Sequence, residues 1–151
     1  MPQWRRWTSD EEGSASLEFI TAGMILLLPI VYLILTMAAV QAGALAVEGA
    51  ARQAVRVFVQ ADDERSAQLQ AERAVEFALA DYGLDADAAE ISVTCSPKPG
   101  DCLHRTGRVT VTVGVSIALP LVPAALTVNA PVSVPLQATA TQRVSRFWGA
   151  Q

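Results

Sequence analysis

Few side chains in this sequence have the type and spacing to do chemistry, and each has a competing structural use. Cys95 and Cys102 flank a stretch that contains Pro97, Pro99 and Gly100. Two cysteines on either side of a tight turn can close a small loop, given an oxidising compartment. The other reading is a pair of free thiols, or half of a zinc site without its remaining ligands. The spacing is not the CxxC of a redox motif. His104 is the single histidine. A triad would have to centre on it, yet only Arg105 and the cysteine loop lie beside it, which reads as an incidental surface histidine. Asp62, Asp63 and Glu64 offer three carboxylates to a cation, but capping a helix and favouring its first turn explains them better. No phosphate-binding glycine loop, zinc motif or nucleophile elbow is present. The expectation is a protein that is not an enzyme, with no cofactor and no metal.

Glu18 is the remaining candidate, because it opens an apolar run between Leu17 and Phe19. A carboxylate carried into hydrocarbon costs about 2.5–3.5 kcal/mol at a helix centre, and less near the interface. In one reading Glu18 occupies the first turn of a helix, where the dipole favours an anion. In the other it pairs with a positive group of another subunit. Spacing alone does not choose between them.

The element that positions Glu18 is a membrane-length helix. From Phe19 to Val47 no residue is charged, and Ile25 to Val40 is densely apolar. About 20 apolar residues cross a bilayer, so the run suffices, with Pro29 inside it as a tolerated local kink. A secretory signal has an apolar core of only about 7–15 residues. The small residues Ala42-Gly43-Ala44 nevertheless keep signal cleavage open, with a mature start near Leu45. Arg5 and Arg6 before the run balance Arg52 and Arg56 after it, so counting basic residues leaves orientation a tie. The cysteine pair and a β-rich tail favour a cytoplasmic N-terminus. Net charge is −4 and no basic cluster exists beyond Arg5-Arg6, which argues against a nucleic-acid partner. One Lys and one Asn among many Ala, Val and Arg suit a GC-rich bacterial genome.

Gly13-Ser14-Ala15-Ser16-Leu17-Glu18-Phe19 resembles the processing site of type IV prepilin-like proteins, and with the long apolar helix it is most similar to the TadE-like family of tight-adherence, Flp-type pilus systems. Gly49-Ala50-Ala51-Arg52-Gln53-Ala54-Val55-Arg56 and Gln137-Ala138-Thr139-Ala140-Thr141-Gln142-Arg143-Val144 also resemble that family's later segments. The resemblance implies cleavage by a prepilin peptidase between Gly13 and Ser14, with Glu18 as fifth residue of the mature chain. Its carboxylate would then meet the Ser14 ammonium of a neighbour, since a charge in low dielectric needs an opposite charge close by. The implied partners are the membrane, other pilin-like subunits and the pilus assembly machinery, in a hetero-oligomer. The implied place is the inner membrane, single-pass, with the N-terminus cytoplasmic and the C-terminal domain extracytoplasmic; the cell surface is the alternative location.

Beyond the span the helical pattern continues through Ala44, Val47, Ala51, Val55 and Phe58, with Glu48 and Arg52 spaced for an i,i+4 pair. That stripe serves packing against its own domain, packing against sister helices, or both. A helix from Ser14 to about Val59 spans roughly 70 Å. Asp62 or Asp63 caps a second helix that ends at Gly83, with Ala67, Leu69, Ala71, Ala74, Val75, Ala78, Leu79 and Tyr82 as its apolar side. Ile91 to Cys95, Val109 to Leu119 and Val132 to Val144 alternate with period two and read as strands, the last at an edge because of Pro135. The expected fold is α+β: a long N-terminal transmembrane helix continuing into a stalk, a second helix, and a small antiparallel sheet of about three strands. The expected domains are a cytoplasmic leader 1–13, a transmembrane helix 14–47, a stalk 48–60 and an extracytoplasmic domain 61–151. The apolar, proline-rich stretch Leu119 to Leu126 folds onto the core, touches the bilayer or meets a partner, with core or partner contact preferred. Two other functions stay open. One is an unprocessed bitopic protein whose outer domain binds an envelope partner; the other is an exported enzyme or inhibitor released by signal peptidase.

Overall fold

The structure, a computed structural model, describes residues 14–120 and 133–149. It is α+β, in the order of two helices followed by three strands. The first helix, α1, runs uninterrupted from Ser14 to Gln60 with Pro29 inside it. Proline is tolerated there because the freed carbonyl can be re-satisfied locally. Contacts divide the chain after Leu35, and the two parts are taken in turn.

Through residues 15–35 every side chain is exposed, including Leu26, Leu27, Leu28, Leu33 and Ile34. Large apolar side chains on all sides are stable only in a nonaqueous surrounding. This is one helix long and apolar enough to cross a membrane.

From Thr36 onward α1 changes its chemistry. Ala46, Val47, Ala50, Ala51, Ala54, Val55 and Phe58 are buried in the core cluster. Gly43 is buried with them, whereas Ala44, expected on this stripe, is exposed. The stretch 48–60 thus shares one core with the rest of the domain. Glu48 and Arg52 form an ion pair on the outer face. The second helix, α2, spans Glu64–Ala80 with Asp63 as its N-cap. Gly83 follows with φ +68°, a left-handed conformation that glycine enters without steric cost. Ala67, Ala71, Val75 and Leu79 are the buried residues of α2, four apart. Leu69 and Tyr82 are exposed instead, as is Phe77. A residue spacing of four keeps to one narrow stripe; Leu69 lies about 200° round the helix from Ala67, and Tyr82 follows the end of α2. A short 3-10 turn, Ala86–Ala88, leads to the sheet.

The strands are β1 (Glu90–Ser96), β2 (Arg108–Ala118) and β3 (Ser133–Arg143). β2 is central and antiparallel to both neighbours. Val109, Val111, Val113, Val115 and Ile117 point into the core, because period two sends alternate residues to one face. On the outer face the hydroxyls of Thr110 and Thr141 lie 2.8 Å apart, and those of Thr112 and Thr139 3.0 Å. Pro135 lies in β3 at the sheet edge, as its missing N–H requires.

Two contacts fix the direction of the sheet along α1. A Cβ placed on Gly43 would overlap Ile117 Cδ1 and come within 3.1 Å of Leu136 Cδ1. At the other end the Trp148 indole N–H donates to the Ala61 carbonyl at 2.9 Å. β2 therefore runs toward the Gly43 end of α1, and β3 runs away from it.

Candidate functional site

The residues singled out by sequence fall into two places. Gly13 lies outside the described residues. Ser14 opens α1, and Glu18 is its fifth residue, exposed. Among the described residues, the first turn of α1 from Ser14 holds no acidic residue. Leu17, Thr21, Ala22 and Ile25 surround Glu18 in a shallow surface hollow. The Thr21 hydroxyl donates to the Leu17 carbonyl at 2.7 Å, so its proton is engaged by its own helix. Among the described residues no cation pairs with Glu18. A carboxylate set among apolar side chains in this way gains strongly from an ammonium or guanidinium brought from outside.

The second place is the turn between β1 and β2. Cys95 and Cys102 are joined by a disulfide, with Cα atoms 5.2 Å apart. The Cys102 backbone N–H donates to Glu64 Oε1 at 2.6 Å, tying the loop to the first turn of α2. Lys98 Nζ stands 3.7 Å from Asp101 Oδ2. His104 Nδ1 lies 2.6 Å from the Asp101 carbonyl, and its ring covers Gly107, where a Cβ would come within 2.5 Å. The histidine thus braces a turn whose neighbour Leu103 is buried.

The three carboxylates before α2 are likewise engaged in structure. Asp63 accepts the Ser66 backbone N–H at 2.9 Å and the Ser66 hydroxyl at 2.7 Å. The backbone hydrogen bond from Ser66, then its hydroxyl, holds the Asp63 carboxyl below its ordinary pKa by favouring the charged form. Glu64 holds the disulfide loop. Among the described residues no group of three His, Cys, Asp or Glu is placed to hold a metal ion.

No family model, curated protein or solved structure matches this chain. The functional reading therefore rests on the residues themselves.

Two further features lay beyond sequence reasoning. Trp148 is half-buried; besides its bond to Ala61, its carbonyl accepts from Arg105 Nε at 3.0 Å. Adjacent Phe147 is exposed, with the Arg146 guanidinium 4.7 Å from its ring centroid. Nothing in the local pattern near the C-terminus signals which aromatic turns inward. The other feature is a groove of about 470 Å³ between α1 and α2, lined by Val57, Ala74, Phe77 and Ala78 with Gln53 and Asp81. The exposed Phe77 is its only sequence trace.

Proposed function

We propose that this chain is a pilin-like, membrane-anchored structural component of a tight-adherence, Flp-type pilus or secretion assembly. The observation that carries the reading is Glu18, exposed one turn into a membrane-length helix and five positions after Gly13. A charge at that place is costly alone and favourable beside the amino terminus of a neighbouring subunit. Cleavage after Gly13 would create such an amine at Ser14. The Cys95–Cys102 disulfide supports a domain on the oxidising side of the membrane. The membrane, a prepilin peptidase and sister pilin-like subunits are the partners this reading requires.

N-terminal mass spectrometry of protein from its native membrane tests it. The expected mature residue is Ser14. A chain starting at Met1 or Pro2 instead supports an unprocessed bitopic protein, and a start near Leu45 supports signal-peptidase release. Gly13→Leu is expected to leave an uncleaved band, and Glu18→Ala to abolish incorporation into the assembly while processing continues. Normal assembly of Glu18→Ala removes the mechanism from this reading.

A further inference from the structure

The contact at Gly43 brings one end of the sheet close to the end of the apolar run. A hydrocarbon core takes about 20 apolar residues, and the charge-free stretch Phe19–Val47 supplies them. Wherever such a window falls, it ends at Ala38 or later. Gly43 then lies inside it or at most about five residues past it, which is roughly 7–8 Å along the axis. The headgroup layer on each side is of similar thickness, about 5–7 Å. On a membrane-spanning reading of α1, Ile117 and Leu136, packed against Gly43, would stand at headgroup level or just inside it.

Charge distribution marks the same level independently. No charged residue occurs between Arg108 and Arg143, so β2 loses its charge as it approaches this end and β3 begins without any. The nearest charge on the sheet is Glu90, in register with Gly114, three residues and about 10 Å back from Ile117. The nearest on α1 is Glu48, five residues and roughly 7–8 Å beyond Gly43. On both elements the first charge stands at least one headgroup layer away from the contact. Two carboxylates of the connection after α2 have neighbours on α1 or α2. Asp87 shares a hollow with Leu69, Glu72 and Arg73 of α2, and Asp81 lines the groove beside Gln53.

We propose that the charge-free end of the sheet, residues 117–120 and 133–136, rests on the lipid headgroup layer, so that the bilayer surface is a docking partner of the domain. This rests on the membrane-spanning reading of α1. Ala118, Ser133 and Pro135 are exposed there, and Leu119, Pro120 and Val134 are half-buried. Uncharged groups of this kind suit the apolar–polar boundary and gain nothing from anionic lipid. The attachment is therefore independent of lipid charge and of salt. For the described flanks, this takes up the bilayer alternative for the stretch 119–126, whose residues 121–126 lie outside the described region.

The test places a single labelled cysteine in the full chain, reconstituted alone into phosphatidylcholine vesicles that carry nitroxide-bearing lipid as a quencher. The native pair, being a disulfide, leaves no competing free thiol among the described residues. Three positions are compared: Leu33→Cys in the apolar run, Ser133→Cys at the sheet end, and Arg65→Cys at the opposite end of the domain. The expected result is strong quenching at Leu33 and quenching at Ser133 several-fold above that at Arg65. Added salt or anionic lipid leaves the Ser133 value unchanged. Strong quenching at Leu33 with Ser133 no different from Arg65 overturns the proposal while leaving the span intact. Loss of quenching at Leu33 as well overturns the span and the proposal together. Quenching at Ser133 that appears only with anionic lipid overturns it in favour of charge-driven attachment.

Discussion

The two stretches of α1 are made of one helix and one kind of chemistry, yet they solve opposite problems. In residues 15–35 the side chains are bulky and wholly exposed, as at Leu26, Leu33 and Ile34. In the stretch from Gly43 to Phe58 they are mostly small and face inward, as at Ala46, Ala50, Ala51 and Ala54. Both faces are apolar, so apolar character alone does not say which one packs against protein. Side-chain size does. Small residues let a helix approach a sheet closely, whereas large ones fill a fluid surrounding that needs no fixed partner.

Paired substitutions sharpen that contrast, and the largest effect belongs to the aromatics. Phe58 is buried and Phe19 exposed. Phe58→Ala is expected to destabilise the domain by about 3–5 kcal/mol through lost burial and a residual cavity. Phe19→Ala should leave domain stability within about 0.5 kcal/mol of the parent. Chemical denaturation in detergent micelles, followed at the Trp148 fluorescence with Trp4 and Trp7 replaced by Phe, measures both. Equal effects would erase the distinction between the two stretches.

Reduction of Cys95–Cys102 comes next. Opening a cross-link with a sequence separation of 7 is expected to cost about 2–3 kcal/mol by releasing the unfolded chain. The loss falls on the domain alone, with the helicity of the apolar run unchanged by circular dichroism. The glycines supply the third pair. Gly43→Ala forces its Cβ onto Ile117 and is expected to cost about 1–2 kcal/mol even after the gain in helix propensity. Gly23 has nothing within 4 Å of such a Cβ, so Gly23→Ala is expected to be neutral or slightly favourable. A neutral Gly43→Ala would mean that the helix does not meet the sheet so closely.

The smallest effect is at the α2 cap. Asp63 has a lowered pKa in the folded protein, so its contribution is fully present above its unfolded value of 3.8. It is lost as pH falls through the folded value. Melting temperatures of the parent and of Asp63→Ala should therefore differ at neutral pH and converge on acidification. Asp63→Asn keeps a capping oxygen and should not show that convergence. A gap unchanged at low pH would show that the carboxylate is not the group responsible.

The regular elements were largely legible from the sequence. Strict alternation from Val109 to Leu119 placed β2 within a residue at each end, because one buried face enforces period two. Asp63 and Gly83 marked the limits of α2 through capping and left-handed geometry. The pattern erred at Ala44, Leu69 and Tyr82, since several apolar residues can satisfy a helical stripe and only packing selects among them. Gly43 gave no sign at all, because a glycine in an apolar run looks the same whether a sheet or nothing lies beside it. The link from Glu64 to Cys102 was hidden for another reason: it joins residues far apart in the chain by a backbone donor that carries no sequence signature. Of the candidate site, Glu18 was visible because its cost in apolar surroundings is a property of the residue alone.

The central place of β2 has a consequence for the chain before it is folded. Alternating valine and threonine without charge make this segment prone to stack with its own kind. Flanking strands on both edges remove that hazard once β1 and β3 have paired. Until then the nascent polypeptide depends on nearby interruptions, and Pro120, Pro123, Pro131 and Pro135 cluster in the stretch that must still arrive. Those prolines keep the sticky run short and make amyloid-like growth beyond it unfavourable while the chain is still unfolded.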